Sequence, residues 1–267
     1  MIEDWFSHLI LIIETTYEIM EPLWLFLIIG SLLAILLERL NLIRFCPSNP
    51  AVGSLLGIIS PIPTINMIKL VKPSKSASAI LFSSLLANPT LLIIIYINLG
   101  LGSVVFYTLL IFIIGTLFGM FIPYNKETNS EKEESGPKGK ILYRFWGHFS
   151  FIGFYTLVGA FIAALMRTFI SYTMYNNDIL GRFPTVVKTL FVLSGGPLYS
   201  CGGTWLPVLK ELNELGLSLG AVLGFILFGQ ATRIGHLMAL RSVFSKKHIW
   251  LFIIITGGLG LFLGYIF

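Results

Sequence analysis

The feature that most constrains this chain is a series of long apolar runs, most of them about 20 residues or more. At about 1.5 Å per residue, a helix of that length crosses the roughly 30 Å hydrocarbon core of a bilayer. The runs are apolar on every side, whereas a soluble helix is apolar on one face only. They therefore predict an all-α, polytopic integral membrane protein in contact with the lipid bilayer. The clearest runs cover residues 22–40, 76–99, 101–122, 148–171, 217–241 and 249–267.

Composition excludes the main soluble alternatives. Hydrophobic residues make up 55% of the 267 and charged residues only 12%, with a mean hydropathy of +0.86. The net charge of +5 does not indicate a nucleic-acid partner, because the basic residues flank apolar runs instead of forming a patch with aromatics. Catalytic and nucleotide-binding motifs are missing, so we expect no enzymatic activity, no cofactor and no bound metal. An ion gradient or a partner subunit would then supply energy.

Four segments organise the chain. Residues 1–21 mix glutamates with large apolar side chains and predict an amphipathic interfacial helix, with a tilted span as the alternative. Residues 22–122 form a first membrane repeat, and residues 146–267 form a second. Between them, residues 123–145 are rich in lysine and glutamate and predict a solvated linker.

Each repeat contains an apolar stretch that is broken in its middle. Residues 47–72 are interrupted at Ser60-Pro61-Ile62-Pro63, and residues 184–215 are interrupted between residues 194 and 203. The helical pieces on either side have roughly ten residues, or about 15 Å, which is half a bilayer. Each stretch therefore predicts a re-entrant hairpin that turns near the midplane, where only surrounding protein or a water-filled cavity tolerates a break.

The order of elements is the same in both halves: span, broken hairpin, span, span. Three spans per half is an odd number, so the second repeat should lie inverted in the membrane. The following residues match between the halves: Ser74 and Ser218, Ala77 and Ala221, Ala87 and Ala231.

Lysine and arginine positions predict the orientation. Thirteen of the 18 basic residues fall on one side, three on the other (Arg182, Lys188 and Lys210), and Arg167 and Arg233 lie inside spans. The richer side should be the cytoplasm of a multi-pass cell-membrane protein. The linker is then cytoplasmic and both termini are extracytoplasmic.

The hairpin tips are the first candidate binding region. Ser60 and Thr204 are suited to cap the helices that follow them. The helix after Ser60 would have Pro61, Pro63 and Thr64 near its start. Helix N-termini at the midplane attract anionic or electron-rich groups. The alternative is that proline and glycine only permit the turn.

Polar residues at mid-depth extend this candidate site. Asn88 precedes Pro89 about 18 Å into its run. In the second half, Gln230 lies at similar depth and Thr232 is the alignment partner of Asn88. They either bind solute or hold helices together. Arg233 and His236 share one helix face. Arg233 either has a functional role inside the membrane or extends its side chain to the cytoplasmic membrane interface.

The second hairpin tip carries Tyr199, Ser200 and Cys201. A thiol beside glycines can bind a soft metalloid solute, although a buried inert cysteine is the common alternative. We therefore expect a small solute, either anionic or thiophilic, and leave the role of Cys201 open.

The same residues resemble a known family. The motif YSCGGTWLP at residues 199–207, GLSLGA at 216–221 and residues 225–232 are similar to the second signature of the predicted permease family that includes the organoarsenical efflux permeases (YraQ-like permeases). The first signature resembles residues 57–63 and 77–89. The resemblance covers close to half of the chain.

This resemblance implies a small-solute permease, with trivalent methylated arsenicals as one known substrate class. The arsenical carriers typically have cysteines near the first hairpin turn, where this chain has Gly57 and Ile59, and only Cys201 carries over. We therefore expect a secondary active efflux transporter working through a midplane site. A passive channel-like facilitator is the alternative, and a scaffold or subunit of a larger complex is a further one.

Overall fold

In the computed structural model, the described residues are 2–39, 48–60, 67–68, 71, 73–124, 146, 149–150, 153–154, 156–165, 168, 185–198, 205–214 and 216–266. Their regular elements are helices, and no strand occurs among them, which confirms the all-α class. The helices are α1 (Ile2–Arg39), α2 (Pro50–Ile59), α3 (Lys75–Leu86), α4 (Pro89–Phe121), α5 (Thr156–Leu165), α6 (Thr185–Leu198), α7 (Leu206–Glu214), α8 (Leu219–Thr232), α9 (Ile234–Arg241) and α10 (Lys246–Ile266).

Helix α1 runs without interruption through the point where the sequence predicts a change from interfacial helix to span. Its 38 residues correspond to about 57 Å, and Pro22 lies inside the helix. Because the hydrocarbon core is only about 30 Å thick, part of α1 must lie outside it or tilt strongly. The interfacial position of residues 1–21 stays a prediction.

Helices α2, α3 and α4 pack together as a first group. Small residues allow the close approach: a β-carbon on Gly57 would collide with the Ser83 hydroxyl and the Ile80 carbonyl, and one on Gly115 with Ser54. In lipid, where no hydrophobic force draws helices together, such close packing supplies much of the association energy. Every residue of α3 from Ser76 to Leu86 is buried, so α3 is the centre of this group.

Helices α6, α8 and α10 form a second group of the same kind. A β-carbon on Gly224 would collide with the backbone of Gly260, and one on Gly195 would lie 2.5 Å from the Phe225 carbonyl oxygen. The middle of α8 is buried almost throughout. As in the first group, the helix that follows the broken stretch in sequence occupies the centre.

The central helices of the two groups begin in the same way. The Ser74 hydroxyl accepts a hydrogen bond from the Ala77 N–H at 3.0 Å, and the Ser218 hydroxyl accepts one from the Ala221 N–H at 3.3 Å. These are N-caps on two residue pairs that the sequence alignment matches. The inverted orientation of the two halves and their re-entrant hairpins stay predictions.

An aromatic cluster joins the two groups. The Phe82 ring on α3 lies 5.0 Å from Phe118 on α4, 4.9 Å from Phe252 on α10 and 4.9 Å from Phe244 in the turn between α9 and α10. Offset aromatic pairs at these distances each contribute about 0.5–1.5 kcal/mol beyond their buried area. The cluster therefore fixes the first group against the second.

Two of the described helices, α4 and α10, are long and apolar enough to cross a membrane. A third span results if α8 and α9, which meet at a 46° bend, count as one. The run at residues 76–99 is not the continuous span that the sequence predicts, because α3 ends at Leu86 and α4 begins at Pro89. Gly100 (φ 81°) separates the next span, as expected, because its backbone is left-handed there.

Candidate functional site

The first break lies between α3 and α4. Ala87 and Asn88 both have extended backbones, with φ/ψ of −140°/149° and −141°/160°. Pro89 explains this geometry. It has no N–H to donate, and in a continuous helix its ring would collide with the carbonyl oxygen four residues earlier. It also favours an extended conformation for the preceding residue. Proline is well tolerated as the first residue of the new helix.

Asn88 stabilises the start of α4. Its side-chain oxygen accepts a hydrogen bond from the Leu91 N–H at 2.7 Å, so Asn88 is the N-cap. The sequence predicts solute binding or helix bridging for this half-buried side chain, and capping is a third role that it does not predict. Its amide nitrogen is the part that capping leaves available.

The break leaves a backbone carbonyl without a helical partner, and a tyrosine replaces that partner. The Tyr107 hydroxyl, on α4, donates to the Leu86 carbonyl at 3.0 Å, and the Tyr107 side chain is completely buried. A buried carbonyl left unpaired would cost about 1–3 kcal/mol. Sequence reasoning missed Tyr107, whose only signal is a phenol in the middle of an apolar run.

The second break lies at Arg233, between α8 and α9. The Arg233 backbone is not helical (φ −57°, ψ 119°), and its carbonyl accepts from the N–H groups of His236 and Leu237, each at 3.0 Å. In contrast to Asn88, the Arg233 side chain makes no capping hydrogen bond. The bend therefore places a half-buried guanidinium at the start of α9.

Gln230 and Thr232 flank this second break. Gln230 is 1% exposed, and the Thr232 hydroxyl donates to the Phe228 carbonyl at 2.8 Å. A β-carbon placed on Gly196 would lie 3.3 Å from the Thr232 hydroxyl. Because Gly196 is near the end of α6, the second break lies beside the helix that leads to residues 199–204.

The remaining predicted site residues divide into two sets. Ser60 is buried and ends α2 as its C-cap residue. A helix does begin at Leu206, just after the predicted cap Thr204, with Pro207 in its first turn. The following lie outside the described residues: Pro61, Pro63, Thr64, Tyr199, Ser200, Cys201 and Thr204.

Helices α3 and α8, which precede the two breaks, pack against each other. The structure therefore brings the central helices of the two groups together, with Asn88 following one and Thr232 and Arg233 ending the other. Within the described residues, no group of three His, Cys, Asp or Glu side chains is arranged to hold a metal ion.

A polar cavity of about 380 Å³ opens between α1, α4 and α7. Glu18, Asn98 and Glu211 are among its lining residues, and Glu211 is only 7% exposed. Lys210 and Glu214 form an ion pair at 3.8 Å on its rim. The cavity adjoins α7 and the part of α4 that follows Asn88, so it is a candidate vestibule that sequence reasoning missed.

Comparison with known proteins agrees with this membrane architecture. The family model described as "Predicted permease" (ArsP_1) matches residues 5–267. A curated protein of Bacillus subtilis (strain 168), the UPF0718 protein YcgR, is 24% identical over 262 residues, covering 85% of this chain and 87% of its own. No solved structure matches. Since the family model matches almost the full length of the chain, the protein belongs to the predicted permease family and is a membrane permease.

Proposed function

We propose that this chain is a secondary active efflux transporter whose solute site lies between the two breaks in its central spans. The observation that carries the proposal is the paired interruption itself. Helix α3 begins after Ser74 and ends before Asn88, and α8 begins after Ser218 and ends at Thr232. Residues 74 and 218, and residues 88 and 232, are separated by the same interval in the chain.

The lengths of the central helices support a site at mid-depth. Helix α3 has 12 residues and α8 has 14, so each is about 18–21 Å long. Measured from one surface of a ~30 Å core, both helices end in its inner part. Interrupted helices whose ends meet near the midplane form the binding sites of many secondary transporters.

The chemistry of the two breaks favours an anionic or electron-rich solute. Both α4 and α9 begin at a break and so present N–H groups and the positive end of the helix dipole there. Arg233 adds a full positive charge, and no acidic side chain occurs in residues 216–267 or 73–124. Cys201, if it extends the site, would favour thiophilic members of this solute class.

The same geometry favours alternating access over an open pore. The central helices are enclosed by the other helices of their groups, and the aromatic cluster around Phe82 closes the space between the groups. A passive pore needs a continuous polar path, whereas among the described residues the rings of Phe82, Phe118 and Phe252 place apolar surface between the two groups. Movement of one group against the other would expose the two breaks in turn.

The test is solute flux in proteoliposomes made with the purified chain alone. The panel should contain trivalent methylated arsenicals, inorganic oxyanions and small organic anions, each with and without an imposed proton gradient. We expect flux of at least one class that increases several-fold with the gradient. Flux indifferent to every imposed ion gradient would contradict secondary active transport and favour a passive facilitator.

A further inference from the structure

A second surface, outside the transport site, has the shape and charge of a lipid-binding groove. It lies between α9 and α10 and encloses about 290 Å³. Its walls include Ile234, Met238, Trp250 and Ile253, while Arg241 and Lys246 lie at one end. The Met238 side chain is 70% exposed and Trp250 is 63% exposed, so the groove is open to the surroundings of the protein.

The groove is polar at one end and apolar along the rest of its length. Helices α9 and α10 are joined by the short turn at residues 242–245, which places Arg241 and Lys246 together at that turn. Ile234 and Ile253, each seven residues away along its helix, lie toward the other end, about 10 Å from the cations. Trp250 follows Lys246 by one helical turn, which is the depth at which tryptophan favours a membrane interface.

Nothing nearby in the sequence neutralises the cationic end. Residues 216–267 contain four lysines and arginines and no aspartate or glutamate. Within the described part of the chain, neither Arg241 nor Lys246 has an ion-pair partner. The first turn of α10 also contains no acidic residue, so its dipole adds positive potential at the same place.

We propose that this groove binds one anionic phospholipid, with the phosphate between Arg241 and Lys246 and an acyl chain along Met238 and Trp250 toward Ile253. Basic pockets between spans are typical sites for acidic head groups. A lipid fits better than a second copy of the chain, because a stable protein interface buries about 800 Å² per partner. A symmetric pair would also place two sets of cations face to face.

If the proposed function holds, a lipid bound in this groove also affects transport. Its apolar end reaches Ile234, the residue that follows Arg233 at the bend between α8 and α9. An acyl chain there would pack against α9 next to the bend, where α9 would have to move relative to α8 during transport. Binding of the lipid is independent of the transport proposal and is tested separately from it.

The test uses the purified full-length chain in an uncharged detergent, with phosphatidylglycerol or phosphatidylcholine added to the micelles. We expect phosphatidylglycerol to raise the thermal midpoint of the wild type by at least about 3 °C more than phosphatidylcholine does. The double variant Arg241→Gln/Lys246→Gln should lose this difference. Each single variant, Arg241→Gln or Lys246→Gln, should reduce the difference, whereas the control Lys188→Gln, which removes one cation from another groove, should keep it.

A second measurement places the acyl chain. Phosphatidylglycerol with brominated acyl chains should quench a component of tryptophan fluorescence that is missing in Trp250→Phe and reduced in the double variant. Equal responses to the two lipids in the wild type, or a head-group preference that survives the double variant, would overturn the proposal. A change of oligomeric state in the double variant, with no change in lipid response, would instead assign the groove to a second copy and also overturn it.

Discussion

The two breaks differ in how their backbones are satisfied. At the first, Asn88 caps α4 and Tyr107 binds the carbonyl that α3 leaves free. At the second, Arg233 begins α9 without a side-chain cap, and α8 and α9 meet at a 46° bend. The His236 ring forms a hydrogen bond with the Gln230 backbone at the second break, but the first turn of α9 lacks the side-chain cap that α4 has, and an uncapped turn can exchange partners at lower cost. We therefore propose that the first break is the fixed element and that the second is the one that responds to solute.

The helix groups around the breaks differ in a related way. Buried serine hydroxyls line the first group, where Ser54 on α2 donates to the Phe112 carbonyl on α4. Both groups pack through glycines, but in the second group the Ser194 and Thr256 hydroxyls donate within their own helices, to the Phe191 and Phe252 carbonyls. A hydrogen bond between two helices ties specific positions together, whereas packing without such a bond permits sliding. The second group is therefore the better candidate for the moving part.

The largest effect on folding should come from filling a helix contact. Gly224→Ala places a methyl group against the Gly260 backbone, which cannot rotate away, and should cost about 1–3 kcal/mol or more. Gly258→Ala, on the neighbouring helix, meets nothing within 4 Å and should leave stability unchanged or slightly raised. Thermal unfolding of both variants in detergent is the measurement, and equal midpoints would contradict the close packing.

A large effect on transport, with little effect on folding, is expected for Arg233→Gln. If the guanidinium binds solute, its loss should lower flux about 10-fold or more, corresponding to one charge-assisted hydrogen bond. Arg233→Lys keeps the charge and should recover part of the flux. Undiminished flux in Arg233→Gln would assign the arginine to the membrane interface instead.

At the first break, a substitution should lower stability more than it lowers transport. Tyr107→Phe leaves the Leu86 carbonyl buried without its partner and should destabilise the fold by about 1–3 kcal/mol. Flux per folded molecule should stay near wild type if, as we propose, the first break is structural. A selective loss of flux at normal stability would show that the two breaks have similar roles.

The smallest effects separate the two possible roles of Asn88. Asn88→Ser retains a capping oxygen and should cost only a few tenths of a kcal/mol, whereas Asn88→Leu should cost about 1 kcal/mol. If Asn88 only caps α4, the serine variant transports normally. If its amide nitrogen also binds solute, flux falls in both variants, which proteoliposome assays would detect.

Much of this architecture follows from sequence, but the partners at the breaks do not. Three of the six apolar runs, at 101–122, 217–241 and 249–267, contain described helices long and apolar enough to span when α8 and α9 count as one. Gly100 marked a real change of direction because only glycine adopts its backbone easily. Pro89 predicted a disturbance without showing that one helix ends and another begins. The bond from Tyr107 to Leu86 joins residues 21 apart, and the cavity between Glu18 and Glu211 joins far more distant ones. Such contacts depend on how helices pack, which local patterns do not encode.

The most direct test of a solute site at the second break is the water accessibility of Thr232. A single cysteine at that position, in a Cys46→Ser/Cys201→Ser background, is treated with a membrane-impermeant thiol reagent from each side of sealed vesicles. The proposed alternating access predicts labelling from both sides and protection by a transported solute. Ile226→Cys, fully buried on the same helix, should remain unlabelled. If Thr232→Cys is as unreactive as that control in a folded protein, the site does not lie at this break.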